Sequence, residues 1–358
     1  MERVVTGVSV PRAEAAVCGA LRVVEWSDGA AWDSFVGEAP DSTVMHLWGW
    51  KAVMERAYGH RTLFLAAVDR DVLRGVLPLT LIRSPLFGWH LVSMPYMDYG
   101  GACTAGDDEA EALLVEVATG AAERERAVLT LRYDRSPTLS LPCSLEKVTM
   151  LLELGTSEAA LWKRLPSERR NRIRKGQKHG LTASIHDEEG LRDFFAVFAT
   201  NMRDLGSPVH SPRFFREVFA RLGEHARIIL VRAQNRSVGA GLMLLYNGMI
   251  SIPWVSSLRS FFDKCPNQVL YWEAMRFGIA NGYGLLDLGR SSRGSGAYEA
   301  KRQWGAEPVQ LHWCYHPATA GSPGDGARRL AWAVGLWRRL PLTVANAIGP
   351  WLRRAIPN

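Results

Sequence analysis

The chain has 358 residues, 47% of them apolar and 22% charged, which is the balance of a globular protein with core enough for about two domains. Its net charge of +7 sits in two stretches, 163–178 (eight Lys/Arg against Glu168) and 328–358 (six Arg, no acid), and the rest of the chain is net acidic. Local patches of this kind point to specific anionic partners and away from general coating of nucleic acid. No run approaches the ~18 apolar residues of a membrane span, and the N-terminus lacks the continuous apolar core of a secretory signal.

Residues 50–82 (WKAVMERAYGHRTLFLAAVDRDVLRGVLPLTLI) read as an amphipathic helix, a strand, a polar DRD turn and a second strand. The turn segment 94–102 (MPYMDYGGA) follows, then a helical pattern over 110–126 and an apolar strand at 128–132. The same order returns later. Residues 215–246 give helix, strand, QNRS turn and strand; IPWVS at 252–256 follows, then a helix over 267–281 and a strand at 285–289. Val68 falls opposite Ala233, Leu73 opposite Val238 and Leu77 opposite Leu242. A period this long predicts a duplicated domain, not a solenoid. Helix–hairpin–helix–strand order predicts an α/β (α+β) fold with mixed sheets flanked by helices. The expected division is an extension at 1–20, a first domain at 21–150, a second at 151–318, and a tail at 319–358 that opens with the linker-like AGSPGDG.

The five cysteines (Cys18, Cys103, Cys143, Cys265 and Cys314) are odd in number, far apart and without CxxC spacing. They read as structural thiols in a reducing compartment, with no metal site and no cofactor.

The densest site signal is LLDLGRSSRGSGAYEAKRQWGAEP, 285–308. An apolar strand delivers Asp287 and Gly289 to its C-terminal end, where α/β sheets usually bind ligands. A Gly/Ser-rich loop with Arg290, Ser291 and Arg293 lets backbone N–H groups approach an anion. A helix over 297–304 then carries Tyr298, Lys301 and Trp304 and stops at Gly305. Asp287 is read as a base or orienter for an amine nucleophile, or as the ion-pair partner of Arg290 or Arg293. Asn267 is either a helix N-cap or a substrate contact. Asp98 and Tyr99 either line an acceptor cleft or belong to a Gly-rich turn.

The motif Asp287-x-Gly289 followed by Ala300-Lys301-x-x-Trp304-Gly305 resembles the D-x-G…[FY]-K-x-x-[FW]-G pattern of the Fem family. RRNRIRKGQKHGL at 169–181 resembles that family's basic R-x-x-I-R-K-A-x-K-x-G segment, and 94–102 and 257–282 also fit. The likeness spans about residues 23 to 317 and is nearest to the FemAB-like proteins associated with exosortase and exopolysaccharide loci. It implies tandem GNAT (N-acetyltransferase) domains and transfer of an activated acyl group, from aminoacyl-tRNA in the family's peptidyltransferases, to an amine of a peptidoglycan or exopolysaccharide precursor. It implies that Lys301 stabilises an oxyanion. The family's aromatic before this lysine is Ala300 here, which sets donor handling apart. The segment 254–271 has no Arg-x-x-Gly-x-Gly/Ala loop of the acetyl-CoA type. An acetyl-CoA-dependent N-acetyltransferase acting on an amino-sugar, and a non-catalytic scaffold, stay as alternatives.

Two basic elements complete the expectations. Arg169, Arg170, Arg172, Arg174, Lys175 and Lys178 wrap a helix-compatible run with Ile173 turned inward; it binds tRNA backbone or a diphosphate-linked precursor, or it is simply solvated. Nothing near it supports sequence-specific DNA readout. The tail alternates Arg pairs with apolar runs around Trp332, Trp337 and Trp351. It suits the plane of an anionic leaflet beside a lipid-linked acceptor, placing the protein on the inner face of the cytoplasmic membrane, or it docks on the body.

Overall fold

The computed structural model describes residues 17–18, 20–138, 141–317 and 331–357; the expected linker and most of the N-terminal extension lie outside them. The first half runs β1 (Val17–Cys18), β2 (Leu21–Glu25), α1 (Gly29–Glu38), α2 (Gly49–Tyr58), β3 (Arg61–Asp69), β4 (Val72–Ser84), β5 (Gly88–Ser93), α3 (Asp108–Arg124), β6 (Val128–Tyr133) and β7 (Cys143–Ser144). The second half opens with β8 (Lys147–Glu153), α4 (Glu158–Arg164), α5 (Ser167–Lys178), β9 (Leu181–His186) and α6 (Leu191–Leu205). It continues with α7 (Pro212–Leu222), β10 (Ala226–Ala233), β11 (Arg236–Tyr246), β12 (Met249–Ser257) and α8 (Pro266–Ala280). Then come β13 (Leu285–Asp287), β14 (Ser291–Ser292), α9 (Gly296–Arg302), β15 (Glu307–Gln310) and β16 (His312–His316). The tail forms α10 (Ala331–Trp337) and α11 (Leu342–Ala355).

The repeat is present. The unit α2-β3-β4-β5-α3-β6 is matched by α7-β10-β11-β12-α8-β13. In each unit the hairpins are antiparallel, and the last strand pairs in parallel with the strand before the crossover helix. Local sequence explains these elements. Ser211 caps α7 by accepting from the Phe214 amide, Pro212 fits its first turn, and Phe214, Phe215, Val218, Phe219 and Leu222 bury one face. Each such burial contributes about 1.5–3 kcal/mol. The equivalent helices α2 and α7 meet, with Tyr58 stacked on Phe214 at 5.5 Å between centroids. One apolar cluster therefore runs through both halves, and a second fills the space between α3 and the first sheet.

The halves are not separated as the sequence division expects. The boundary at 150/151 falls inside β8, and all of β8 belongs to the second sheet, where it pairs with β13 and β15. Past the second unit, β16 returns to the first sheet and pairs with β6 and β7. This exchange brings Cys314 beside Cys143 in a disulfide, across a sequence separation of 171. The expectation that all five cysteines are thiols is corrected accordingly, while Cys103 and Cys265 are buried and free.

The tail docks. Ala345, Gly349 and Ala355 of α11 are buried, and so is Trp337 of α10, whereas Trp351 is exposed. The side chain of Trp332 lies outside the described residues. The last turn of α11 enters the seam between the halves. Arg132 Nη2 donates to Pro357 O at 2.8 Å, and Tyr96 Oη donates to Arg354 O at 3.2 Å. The Arg353 guanidinium lies 5.0 Å from the Tyr96 ring centre, and its Nε donates to His210 Nε2 at 3.1 Å. That bond leaves the His210 proton on Nδ1, which faces Tyr58 Oη at 2.5 Å. Burial, then the Arg353 charge, holds His210 neutral by pushing its pKa well below the usual value. No helix among the described residues is long and apolar enough to cross a membrane.

Candidate active site

β13 ends at Asp287 in the seam between the halves. The turn beyond it depends on Gly289, whose φ of +79° lies in the left-handed region that side chains resist. This turn folds the Gly289 amide back onto Asp287 Oδ1 at 2.7 Å. The same oxygen accepts from Thr149 Oγ1 at 2.5 Å, and Oδ2 accepts from Tyr99 Oη at 2.7 Å. Ser251 Oγ lies 3.4 Å from Tyr99 Oη. Both carboxylate oxygens are thus occupied, one from each half of the molecule. Asp287 pairs with neither Arg290 nor Arg293, which sets aside that expectation. Burial raises its pKa against the pull of the Thr149, Tyr99 and Gly289 hydrogen bonds. A carboxylate that accepts three hydrogen bonds from both halves is held in place and orients the loop, with one acceptor position of Oδ2 remaining.

Lys301, in the last turn of α9, reaches back into this turn. Its Nζ donates to Gly289 O at 2.8 Å and to Arg290 O at 2.9 Å. An ammonium has three protons, so one more acceptor can be served. Burial lowers the Lys301 pKa, offset by Asp98 and Asp287. Asp98 joins the site from the first half: its Oδ2 accepts from the Arg290 amide at 2.9 Å, and its Oδ1 lies 3.3 Å from Arg290 Nε. A β-carbon on Gly289 would stand 3.6 Å from Asp98 Oδ2 and 3.9 Å from Lys301 Nζ, so a single residue's width separates the two charges.

Of the remaining expected residues, Tyr99 is buried as Asp287's donor, and Asp98 holds the Arg290 loop. Ser291 is buried in β14, Tyr298 packs half-buried against the core, and Arg293 is exposed and reaches Gln310 at 3.4 Å, away from Lys301. α9 ends at Arg302, a residue pair earlier than expected, and Trp304 is a core residue against Tyr271. Asn267 is not an N-cap. Cys265 holds that place with Pro266 after it, and Asn267 Oδ1 accepts from Ser257 Oγ at 2.6 Å.

The basic helix also departs from expectation. Arg172, Arg174, Lys175 and Lys178 are exposed and Arg170 is half-buried, but Arg169 is buried with its guanidinium 5.5 Å from the Trp304 ring centre. Arg169 is therefore a link between α5 and the lysine motif, not a surface cation.

Sequence reasoning missed Thr149, Ser251, Arg132, Asp134 and Trp313. Trp313 lies under two guanidinium groups, Arg132 at 4.3 Å and Arg290 at 4.8 Å, and its Nε1 donates to Asp98 O at 3.0 Å. Asp134 follows β6, and burial together with the Asp287 charge pushes its pKa up to about 6. Among the described residues no group of His, Cys, Asp and Glu could hold a metal ion.

Comparisons with known proteins bear on the fold. The family model described as an acetyltransferase (GNAT) domain matches residues 167–302. No curated protein sequence matches the chain. The crystal structure of FemX superposes with a TM-score of 0.61 at 16% identity, covering 80% of this chain and 96% of that one. L-PGS from Bacillus licheniformis gives 0.58 at 11% identity, with 86% and 97% covered. The C-terminal domain of a protein assigned as a lysylphosphatidylglycerol synthetase, from Agrobacterium fabrum, gives 0.55 at 13%, with 86% and 96% covered. None of the three bears on the exosortase-associated subgroup. At these identities the likeness is one of fold, and the fold is two GNAT-type α/β units in tandem, joined through a shared core and an exchanged strand.

Proposed function

We propose that the chain is an acyltransferase of the Fem type, moving an aminoacyl group from an activated ester, an aminoacyl-tRNA, to an amine of a cell-envelope precursor. The observation that carries this reading is the half-buried Lys301 Nζ, fixed by the Gly289 and Arg290 carbonyls just beyond β13, beside Asp98 from the other half. In such a transfer the amine nitrogen bonds to the acyl carbon, the ester C–O bond breaks, and the amine proton ends on the leaving hydroxyl. Negative charge gathers on the acyl oxygen. A cation held in place before reaction stabilises that charge without reorganising, which is worth about 10²–10³ in kcat. Asp287 is a positioning residue.

One observation weighs against acetyl-CoA as donor. α5 packs onto the start of α8 through Gly176: a β-carbon there would stand 2.5 Å from Val269 Cγ2 and 3.2 Å from Lys264 O. The helix start that would otherwise offer amides to a diphosphate is covered by a neighbouring helix. For the acceptor, the outer face of α11 supports a lipid-linked molecule. Val344, Ile348 and Trp351 are 42%, 43% and 58% exposed on one side of that helix, near the exposed Arg338, Arg339 and Arg354. Apolar side chains ringed by arginine suit an anionic leaflet.

The test is a transfer assay with radiolabelled donors. Label passing from aminoacyl-tRNA to an amine acceptor supports the reading; transfer from acetyl-CoA alone overturns it.

A further inference from the structure

A surface pocket of about 470 Å³ opens on the second half, away from Lys301, lined by Glu158, Ala159, Trp162, Arg174, Gln177 and Trp272. Its walls come from α4, α5 and α8. Trp162 and Trp272 meet at 4.8 Å between centroids, inclined by 59°, and the Arg174 guanidinium lies 5.2 Å from the centre of the Trp162 ring. Trp162 is half-buried and Arg174 exposed, so the ring's outer face is covered only by a movable side chain. A planar cation, two indoles, one amide (Gln177) and one carboxylate (Glu158) make a wall suited to a flat heterocycle with donors and acceptors on its edge.

The surroundings add a second kind of evidence. Arg172, Lys175 and Lys178 continue along α5, and Lys163 and Arg164 of α4 are exposed too. Glu168 pairs with Arg172, and Glu158 with Arg276, which leaves the stripe strongly positive. One nucleotide does not need so many cations; a phosphate backbone does. Helix α5 itself connects the pocket to the element that follows Lys301. Arg169, which lies on the Trp304 ring, is five residues before Arg174 on the same helix, an axial distance of about 7.5 Å.

We propose that this pocket binds an unpaired base near the end of an RNA strand, stacked on Trp162 with Arg174 on its other face, while the α5 cations follow the backbone toward Lys301. The inference rests on the aminoacyl-tRNA reading and names where that donor is held. Stacking on an aromatic side chain tolerates any base, so the pocket selects a single-stranded end and not a sequence.

The test is fluorescence anisotropy with a labelled RNA hairpin carrying a four-nucleotide 3′ overhang, the same hairpin blunt-ended, and adenosine 3′,5′-bisphosphate as competitor. The unaltered protein is expected to prefer the overhang. Trp162→Ala is expected to weaken overhang binding roughly fivefold to 150-fold, the range a stacked base contributes, and to leave blunt-hairpin binding unchanged. Trp162→Phe should restore most of the affinity, and surface Arg174→Ala should show a smaller loss of the same kind. Equal affinity for both hairpins, or no effect of Trp162→Ala and Arg174→Ala on the overhang, overturns the proposal. So does binding of the bisphosphate with no binding of RNA, which would make the pocket a mononucleotide site. The titration contains no transfer step. RNA binding without overhang preference therefore refutes this pocket alone, whereas transfer from acetyl-CoA with no RNA binding refutes the donor reading.

Discussion

Acidification should loosen the seam where the tail docks, and His60 makes the size of the effect calculable. His60 is 8% exposed, its Nε2 lies 2.8 Å from Tyr96 Oη, and Tyr96 in turn donates to Arg354 O. The Tyr96 proton is committed to that carbonyl, so His60 Nε2 carries a proton and donates. Burial, then the Arg354 charge, lowers the His60 pKa to about 4 from the ordinary 6.5 of an exposed imidazole. A histidine whose folded pKa lies below its unfolded one is bound by more protons when unfolded, so folding loses stability as pH falls through the window from 6.5 to 4. Between pH 7.5 and pH 5 the unfolded histidine becomes almost wholly protonated and the folded one does not. The difference is about 1.5 pH units of linkage, or about 2 kcal/mol. His46, also lowered to about 4, and His210 act in the same direction; Asp134 and Asp287, with raised values, act in the opposite one. The clean measurement is therefore a difference. Urea unfolding of the unaltered protein and of His60→Gln at both pH values should show the gap between them shifting by about 2 kcal/mol in favour of the variant at pH 5. A gap that does not change with pH would refute the assignment of a buried neutral imidazole.

Replacing Val344, Ile348 and Trp351 together with Ser should weaken sedimentation with phosphatidylglycerol vesicles by at least about tenfold while leaving the fold intact, since all three side chains are exposed. Undiminished vesicle binding would refute a membrane-facing α11. Cys143→Ala should cost about 2–4 kcal/mol in non-reducing urea titrations, and dithiothreitol should bring the unaltered protein to the same value; no effect of either would place the strand exchange on hydrogen bonds alone.

Much of the architecture was legible because it is local. The 3.6-residue period of α7 is written in Phe214–Leu222, β10 and β11 show as short continuous apolar runs, and the DRD and QNRS turns fall between strands as polar residues should. The lysine motif was legible for the same reason, as a strand end followed by a short helix. What the sequence hid is what the exchanged strand makes. Trp313 reaches the site only because β16 leaves the second unit and pairs with β6, and the Cys143–Cys314 bond depends on the same exchange. Asp287 read either as a base or orienter or as a partner of neighbouring arginines; its partners, Thr149 and Tyr99, are 138 and 188 residues away. In a run of like charges Arg169 could not be told from Arg172, since what buries it is Trp304, on a different element. The tail's two faces were both readable, and the structure assigns the inner one to docking.

Lys301 is the residue whose loss bears most directly on the proposed chemistry. Steady-state transfer by Lys301→Ala, compared with Lys301→Arg and the unaltered protein, separates binding from chemistry. In the alanine variant kcat is expected to fall about 10²–10³ with KM for donor and acceptor little changed, and arginine is expected to restore part of the loss. A Lys301→Ala variant that keeps its kcat, or loses only substrate affinity, would contradict the proposed chemistry.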